Sequence, residues 1–470
     1  MTVKSIKPVL ISGREVHPII EGGKGVAVSN GRSAGAFAAA GCVGTFSGVN
    51  PDSYDADGNP IPQVYKNNKR TERFEELIAY AIEGGIAQAR IAHEASNGEG
   101  RLHMNTLWEA GGTERIIHGV LQGAKGLIHG VTCGAGMPYK MAEIAAQYDV
   151  YYYPIVSSMR AFRALWKRSY SKHAKLLGGV VYEDPWKAGG HNGLSNAERF
   201  DQPQDPYPRV AEIRKFMNSV GLNDVPIVMA GGVWYLRDWD NWLDNPEIGP
   251  VAFQLGSRPL LTKESPIPDS WKNRLLNLVE GDVSLNKYSP TGFYSSQLNN
   301  DFLKELGERA ARQVTFSRKA TEELTGEVKV GARGRSIFVA ADKQADVEGW
   351  IAQGFTEGMR TPDDSMIFVA PEKSQEILAD QAGCMGCLSA CAFSNWADNE
   401  ENTTGRLADP RSFCIQKTLQ DIAHGGSVEN NLAFAGHNAF KFADDPLFQE
   451  GRNGNFPSVA DLVEQLLKGD

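Results

Sequence analysis

An α/β fold, a (β/α)8 TIM barrel with a C-terminal cysteine-containing α/β extension, is the fold class this sequence predicts. Three observations predict it. Short apolar or β-branched runs alternate with longer helical stretches in the first part of the chain. Eight such runs occur within about 260 residues, the size of one closed barrel. Beyond them the chain gathers four of its six cysteines. Strands alternating with helices imply a parallel sheet. An open doubly wound sheet is the structural alternative, because periodicity alone does not separate the two.

The first run, "HPIIEGG" from His17, is closed by two glycines. The second, "GCVGTF" from Gly41, follows the small-residue helix "SAGAFAAA". "RTERFEELIAYAIEGGIAQARIAHEA" from Arg70 places apolar residues at three- and four-residue steps, the pattern of an amphipathic helix. "LHMNTL" from Leu102, "GLIHGVT" from Gly126 and "VYYYPIV" from Val150 supply the next three strands, with helix "YKMAEIAAQY" before the last. "LGGVVYE" from Leu177 is the sixth. Helix "RVAEIRKFMNSV" precedes "VPIVMA" from Val225, and "VAFQLG" from Val251 is the eighth. Two polar stretches rich in Pro and Asp, "NPDSYDADGNPIPQVYKNNK" and "SNAERFDQPQDPYP", read as loops over the barrel mouth or as contacts of a homo-oligomer.

The 470 residues carry 48 basic against 57 acidic side chains, a net charge of −9. That balance argues against a general nucleic-acid binder, which needs a basic face for phosphates. Hydrophobic residues make up 41% and charged residues 22%, as in an ordinary globular protein. No apolar run reaches membrane-spanning length, and "MTVKSIKPVL" has no signal-peptide core. A cytoplasmic location without membrane contact is the expectation. Six cysteines are too few for a secreted disulfide scaffold, and clustered thiols in a reducing compartment more often bind metal.

In a barrel, the loops after the strands face the active site. Strand one runs into Glu21, Gly22, Gly23, Lys24 and Gly25; strand three carries Asn105 and Thr106; strand four ends on Thr132, Cys133 and Gly134. Strand six leads to "PWKAGGHNG", with Gly189, Gly190 and His191. Strand seven ends in Gly231 and Gly232, strand eight in Gln254, Gly256, Ser257 and Arg258. Glycines leave backbone N–H groups open. Bare amides after strands seven and eight, with the Ser257 hydroxyl, are suited to wrap a phosphate.

"HPIIEGGKGVAVSNGRSAGAFAAAGCVGTFSG", "KAGGHNG", "VPIVMAGGVW", "FQLGSRPLLTKES" and "SPTG", in this order and spacing, resemble the nitronate monooxygenase (2-nitropropane dioxygenase) family. The related FMN-dependent enoyl-acyl-carrier-protein reductases are similar. The likeness covers residue 17 to about residue 295, and "FPSVADLVEQLLKG" is similar to the family's ending. It implies an FMN-binding barrel. By position, Gly22, Gly23 and Asn105 lie along the flavin ring and Gly189 and Gly190 flank it. Gly231, Gly232, Gly256 and Ser257 hold the FMN phosphate, with Gln254 near the ring or ribityl chain. His191 matches the histidine that serves as catalytic base or positions substrate. A neutral imidazole near pH 7 suits that proton transfer. Glu21 and Lys24 depart from the family pattern, which more often has Gln and Met there. Lys187 is a candidate for an anionic group of the substrate.

Outside that resemblance, Cys384, Cys387 and Cys391 form C-x2-C-x3-C, and Cys414 follows in "PRSFC". Four thiolates suit a [4Fe–4S] cluster or a tetrahedral zinc ion. Three near cysteines plus a distant one point to the cluster, with zinc as the alternative. Cys42 reads as core, and Cys133 as a residue facing the pocket. "SIFVAADKQADVEGWIAQGF" and "SMIFVAPEKSQEILADQA" each read as a strand followed by a helix. The expected organisation is an FMN-binding barrel over residues 1–320 and the four-cysteine extension over 321–470.

The leading expectation is an FMN-dependent oxidoreductase resembling nitronate monooxygenase, with His191 as base and a small-molecule substrate. One alternative is an NAD(P)H-dependent flavin and iron–sulfur reductase of an enoyl thioester or quinone. Another is an electron-transfer module that serves a protein partner and has no substrate chemistry of its own.

Overall fold

β-branched and aromatic runs bounded by glycine become the eight strands of one closed barrel. The computed structural model describes residues 6–51, 53–54, 60–61 and 63–470. The strands are β1 (Ile19–Glu21), β2 (Val43–Ser47), β3 (Arg101–Leu107), β4 (Gly130–Gly134), β5 (Tyr151–Val156), β6 (Val180–Glu183), β7 (Ile227–Ala230) and β8 (Val251–Leu255). Every neighbouring pair is parallel, and β8 returns to β1 through Gln254 opposite Ile20. The open doubly wound alternative is thereby excluded. Strands buried on both faces need apolar residues at consecutive positions, and β2, β4 and β7 are buried throughout.

Helices cover the outside: α1 (Gly31–Ala39), α2 (Arg70–Ser96), α3 (Thr113–Gly123), α4 (Met141–Gln147), α5 (Met159–Arg168) and α6 (Pro206–Ser219). Asn30 starts α1 by accepting from the Ser33 N–H, and Ser33 answers through its own hydroxyl. Small residues let α1 and α2 approach closely; a Cβ on Gly35 would collide with Ala95 and with the Ala92 carbonyl. Directly after β7 and β8 the chain makes short 3-10 turns, Leu236–Trp239 and Arg258–Leu261, and the α-helix Asp269–Leu275 follows the second. Inside the barrel, Ile20, Val43, Tyr153, Val181, Val228 and Ala252 pack together. A small hairpin, Val9–Ile11 with Arg14–Val16, closes that end by adding Ile11 and Val16. His103 belongs to this plug: burial pushes it down to about 3, and its Nε2 meets Ser12 Oγ at 2.9 Å.

The later chain divides its apolar residues between two cores. Val314, Val328, Val330, Ile337, Val339, Val347, Met366 and Phe368 form a small core of their own. It sits among antiparallel strands (Gln313–Thr315, Glu357–Arg360, Ser365–Val369) and a hairpin (Gly326–Val330 with Arg335–Val339). Helices Gln344–Ala352 and Pro371–Ala382 follow the strands as the sequence pattern requires. From Ile377 to Leu466, buried residues join the barrel's own cluster instead. The later part of the extension thus packs on the barrel, while residues 314–368 also hold a core of their own. Arg258 and Asp445 pair at 2.9 Å with side chains 1% exposed, and Trp234 Nε1 donates to the same carboxylate at 2.9 Å. The first polar insertion lies partly outside the described residues. Among the described residues, no helix is long and apolar enough to cross a membrane.

Candidate active site

The C-terminal ends of the barrel strands surround a cavity of about 240 Å3. The eleven residues expected to hold the flavin or act beside it line it: Gly22, Gly23, Asn105, Gly189, Gly190, His191, Gly231, Gly232, Gln254, Gly256 and Ser257. The fold brings them together at one mouth of the barrel.

The glycines are there for different reasons. Gly231 and Gly232 have φ of +84° and +79°, in the left-handed region that suits glycine. A Cβ on Gly23 would run into the Asn105 side chain, so those two residues touch. Gly256 is the opposite case. A Cβ there meets nothing within 4 Å, and its backbone is not left-handed. Protein packing therefore does not demand glycine at 256, whereas a group resting on bare backbone does. With Gly231, Gly232 and Ser257 beside it, this is a cradle fitted to a phosphate. Apolar Val26, Val28, Leu107, Ile155 and Leu260 line walls suited to a flat ring. The residues present thus fit FMN.

His191 is held by a sheet outside the barrel. The short strand Gly190–His191 pairs antiparallel with Ser295–Leu298, which pairs with Val283–Asn286. Its Nε2 lies 2.6 Å from Ser289 Oγ, and Ser289 lies 2.9 Å from Thr291 Oγ1. The ring meets Phe434 edge-on at 5.3 Å. Burial pushes its pKa down to about 4, so the imidazole is neutral at pH 7.

Three features were not anticipated. Glu183, the last residue of β6, lines the cavity, and burial followed by the charge of Asp184 pushes its carboxyl up to about 8. The available signal was an acidic residue at a strand end in "VVYEDPWKAGG". Ser289 sits in "SPTG", which was recognised as a motif without a role. The segment Ala433–Ala439 closes one side of the cavity. Ser257 Oγ accepts from the Gly436 N–H at 2.8 Å, and Asn438 Nδ2 donates to the Gly232 carbonyl at 2.7 Å. A Cβ on Gly189 would strike the Ala435–Gly436 backbone, so Gly189 answers to this segment.

Other expectations resolve differently. Glu21 is fully buried. It accepts from Lys24 Nζ at 3.1 Å and from Ser33 Oγ at 2.8 Å. Lys24 lines the cavity and Glu21 does not, so the carboxylate is neutralised behind the lysine. Lys187 lines the cavity, its side chain packed against Gly232. Cys42 is core as expected. Cys133 is fully buried in the barrel's outer core and does not face the cavity, because the chain turns inward only at Gly134 and Ala135.

Cys384, Cys387, Cys391 and Cys414 are unpaired thiols in one neighbourhood, and Cys387 lines the cavity. Among the described residues no three His, Cys, Asp or Glu side chains form a group that could hold a metal ion.

A closed parallel barrel whose strand ends surround a glycine-lined cavity with a buried histidine is an arrangement compatible with a flavin-dependent oxidoreductase. The nitronate monooxygenase family model matches residues 8–336, more than half of the chain. The chain belongs to the nitronate monooxygenase family, and that family implies FMN. No curated protein matches. Among solved structures, FabK from Thermotoga maritima is 18% identical, covers 62% of this chain and 74% of its own, and has a TM-score of 0.42. Nitroalkane oxidase from Streptomyces ansochromogenes is 16% identical over 64% and 80%, with a TM-score of 0.44. The enoyl reductase domain of MlnA from Bacillus amyloliquefaciens is 11% identical over 96% and 93%, with a TM-score of 0.48.

Proposed function

We propose that this enzyme oxidises nitronates or their parent nitroalkanes, with His191 as the base beside FMN. The observation that carries the reading is a buried, neutral imidazole lining the same cavity as the glycine cradle. Gly231, Gly232, Gly256 and Ser257 hold the phosphate, with Lys187 beside them. Gly22, Gly23, Asn105 and Gln254 lie along the ring and ribityl chain, and Gly190 flanks it. When bound, FMN accepts the electrons. With a neutral nitroalkane, His191 takes the proton from the carbon that bears the nitro group and so leaves the nitronate; a nitronate arrives already deprotonated there and is only positioned by His191, whose imidazole Ser289 and Phe434 hold in place. Lys24 lies near the ring with its charge balanced by Glu21.

A second reading, NAD(P)H-driven reduction of an enoyl thioester or quinone, is favoured by different observations. Ile267, Trp271, Leu275, Leu419 and Ile422 add an apolar roof suited to a chain. Glu183, protonated at neutral pH, is a proton donor in reserve. A [4Fe–4S] cluster on Cys384, Cys387, Cys391 and Cys414 is a proposal of the same kind, with zinc as the rival metal, and rests on separate residues.

Anaerobic reduction of the purified protein by NADH, NADPH and nitronates separates the readings. Nitronate bleaching the flavin without a nicotinamide supports the first; NAD(P)H alone doing so supports the second. His191→Ala should keep flavin and lose about 10²- to 10⁴-fold in turnover. Near-normal turnover would remove His191 from the chemistry.

A further inference from the structure

We infer, resting on the proposed role of His191 as base, that Ser289 and Thr291 carry the proton His191 removes from a nitroalkane out to solvent. Both hydroxyl residues act through the imidazole and touch no substrate.

A base that works in every turnover has to lose the proton it gains. With substrate in the cavity and Phe434 edge-on against the ring, the way out of the imidazole is Nε2. That nitrogen lies 2.6 Å from Ser289 Oγ, and Ser289 Oγ lies 2.9 Å from Thr291 Oγ1. Both steps fall in the range of about 2.6–3.2 Å that proton transfer needs. Ser289 is 4% exposed, Thr291 is half-buried and Gly292 after it is exposed. Two hydroxyls thus lead from the imidazole to the surface. Burial favours the exit as well: it holds His191 down to about 4, so at pH 7 the ring does not keep a second proton.

The bonding at each oxygen allows the relay. A hydroxyl has one proton and two lone pairs. Ser289 Oγ accepts from the Thr291 N–H at 3.4 Å, and Thr291 Oγ1 accepts from the Phe293 N–H at 3.2 Å. Each oxygen keeps one lone pair and its proton for the chain. A resting Nε2–H tautomer donates to Ser289, so the Ser289 proton points to Thr291 and the Thr291 proton to solvent. His191 Nδ1 has no hydrogen-bond partner among the described residues and is not sealed in the interior, and the residue lines the cavity. Its lone pair is therefore open to substrate. The proton passes from carbon to Nδ1 while others pass from Nε2 to Ser289, from Ser289 to Thr291 and from Thr291 to water. The C–H electron pair stays on the nitronate. One proton enters the chain, one leaves, and no heavy atom moves. Afterwards the hydroxyls point the other way, which the same two N–H bonds accept. When product leaves, Nδ1–H is lost to water in the open cavity and the chain refills from solvent.

The chain is also held in register. Ser289 and Thr291 lie in the connection between strands Val283–Asn286 and Ser295–Leu298, and the second strand pairs His191 with Ser295. Both ends of the relay therefore belong to one small sheet. Gly292, with φ of +74°, closes the turn, and its N–H donates to the Ser289 carbonyl at 3.0 Å. The Ala392 N–H donates to the Pro290 carbonyl at 3.0 Å, and Ser412 Oγ to the Tyr288 carbonyl at 2.8 Å. Fixing the ring would require Ser289 alone. A second hydroxyl that leads outward adds nothing to that task and completes a path to water.

The test compares nitroethane with its preformed nitronate, which arrives without the proton and serves as internal reference. Thr291→Val removes the outer hydroxyl and leaves the Ser289–His191 bond in place. The ratio of nitroethane to nitronate turnover should fall about tenfold or more, within the roughly 10²- to 10⁴-fold that a general base supplies. Thr291→Ser should restore it. An unchanged ratio in the valine variant, or no recovery with serine, overturns the relay. Should the valine variant not fold, wild type decides in mixtures of H2O and D2O. Nitroethane turnover should bow with deuterium content, since several protons move together; a straight line overturns the relay. A readout independent of turnover is 15N NMR of histidine-labelled full-length protein at pH 7, with His191 assigned by its absence from His191→Asn. The expected proton sits on Nε2, and a proton on Nδ1 overturns the relay. Near-normal nitroethane turnover in His191→Ala sinks the base and the relay together. Loss in His191→Ala with an unchanged ratio in Thr291→Val sinks the relay alone. Wild type that oxidises the nitronate and not nitroethane has no proton to pass, which overturns the relay and leaves nitronate oxidation standing.

Discussion

His191 carries a different pH dependence from a solvent-exposed histidine. Burial holds it near 4, so it is already neutral well below the usual 6.5. If it is the base, kcat/KM on the true substrate stays flat from neutral pH down to about pH 5 and falls through an apparent pKa near 4. A limb near 6.5 would exclude His191 as the titrating base. The same shift destabilises the fold in acid: its contribution is present above 6.5 and is lost as pH falls toward 4. Glu183 works in the other direction. Its pKa is raised to about 8, so its contribution is present below the ordinary carboxyl value near 4.5 and is lost as pH rises through 8. Glu183→Gln should therefore gain thermal stability over wild type at pH 9 and show little difference at pH 4. Equal Tm differences at both pH values would remove the buried acid. Neither shift is visible in sequence, because both arise from walls assembled out of distant segments.

The strand-end loops allow a sharper test of the cofactor cradle. A side chain at Gly256 has open space and no backbone strain. Gly256→Leu should fold with Tm within about 2 °C of wild type and lose most of its FMN. Full flavin occupancy in a folded variant would move the phosphate elsewhere. At this scale much was legible. Short β-branched runs closed by glycine became β1 to β8 because burial on both faces demands that composition. Helices with apolar residues at three- and four-residue steps, such as α2, were equally plain. The segment Ala433–Ala439 was not, since it packs as irregular backbone and has no period to read. Gly189 looked like a cofactor glycine for the same reason: the chain that needs its missing Cβ lies far away in sequence.

Across the whole molecule, the buried Arg258–Asp445 pair ties that returning segment to the barrel. Removing one partner leaves an uncompensated buried charge, which costs about 3–5 kcal/mol. Asp445→Ala should lose that much stability in denaturant titration and bind FMN more weakly, because Gly436 and Asn438 lose their anchor beside Ser257 and Gly232. Loss of stability with unchanged flavin affinity would separate the tether from the site.

The bond from Asn438 to the Gly232 carbonyl spans 206 positions of sequence. A ribosome adding about 5–20 residues per second makes the second partner about 10–40 s after the first. All eight barrel strands have been synthesised by then, yet the cradle still lacks one wall. Cofactor capture is therefore expected to come late in this protein's biogenesis. A nascent chain arrested before Ala433 should carry a barrel that does not retain FMN.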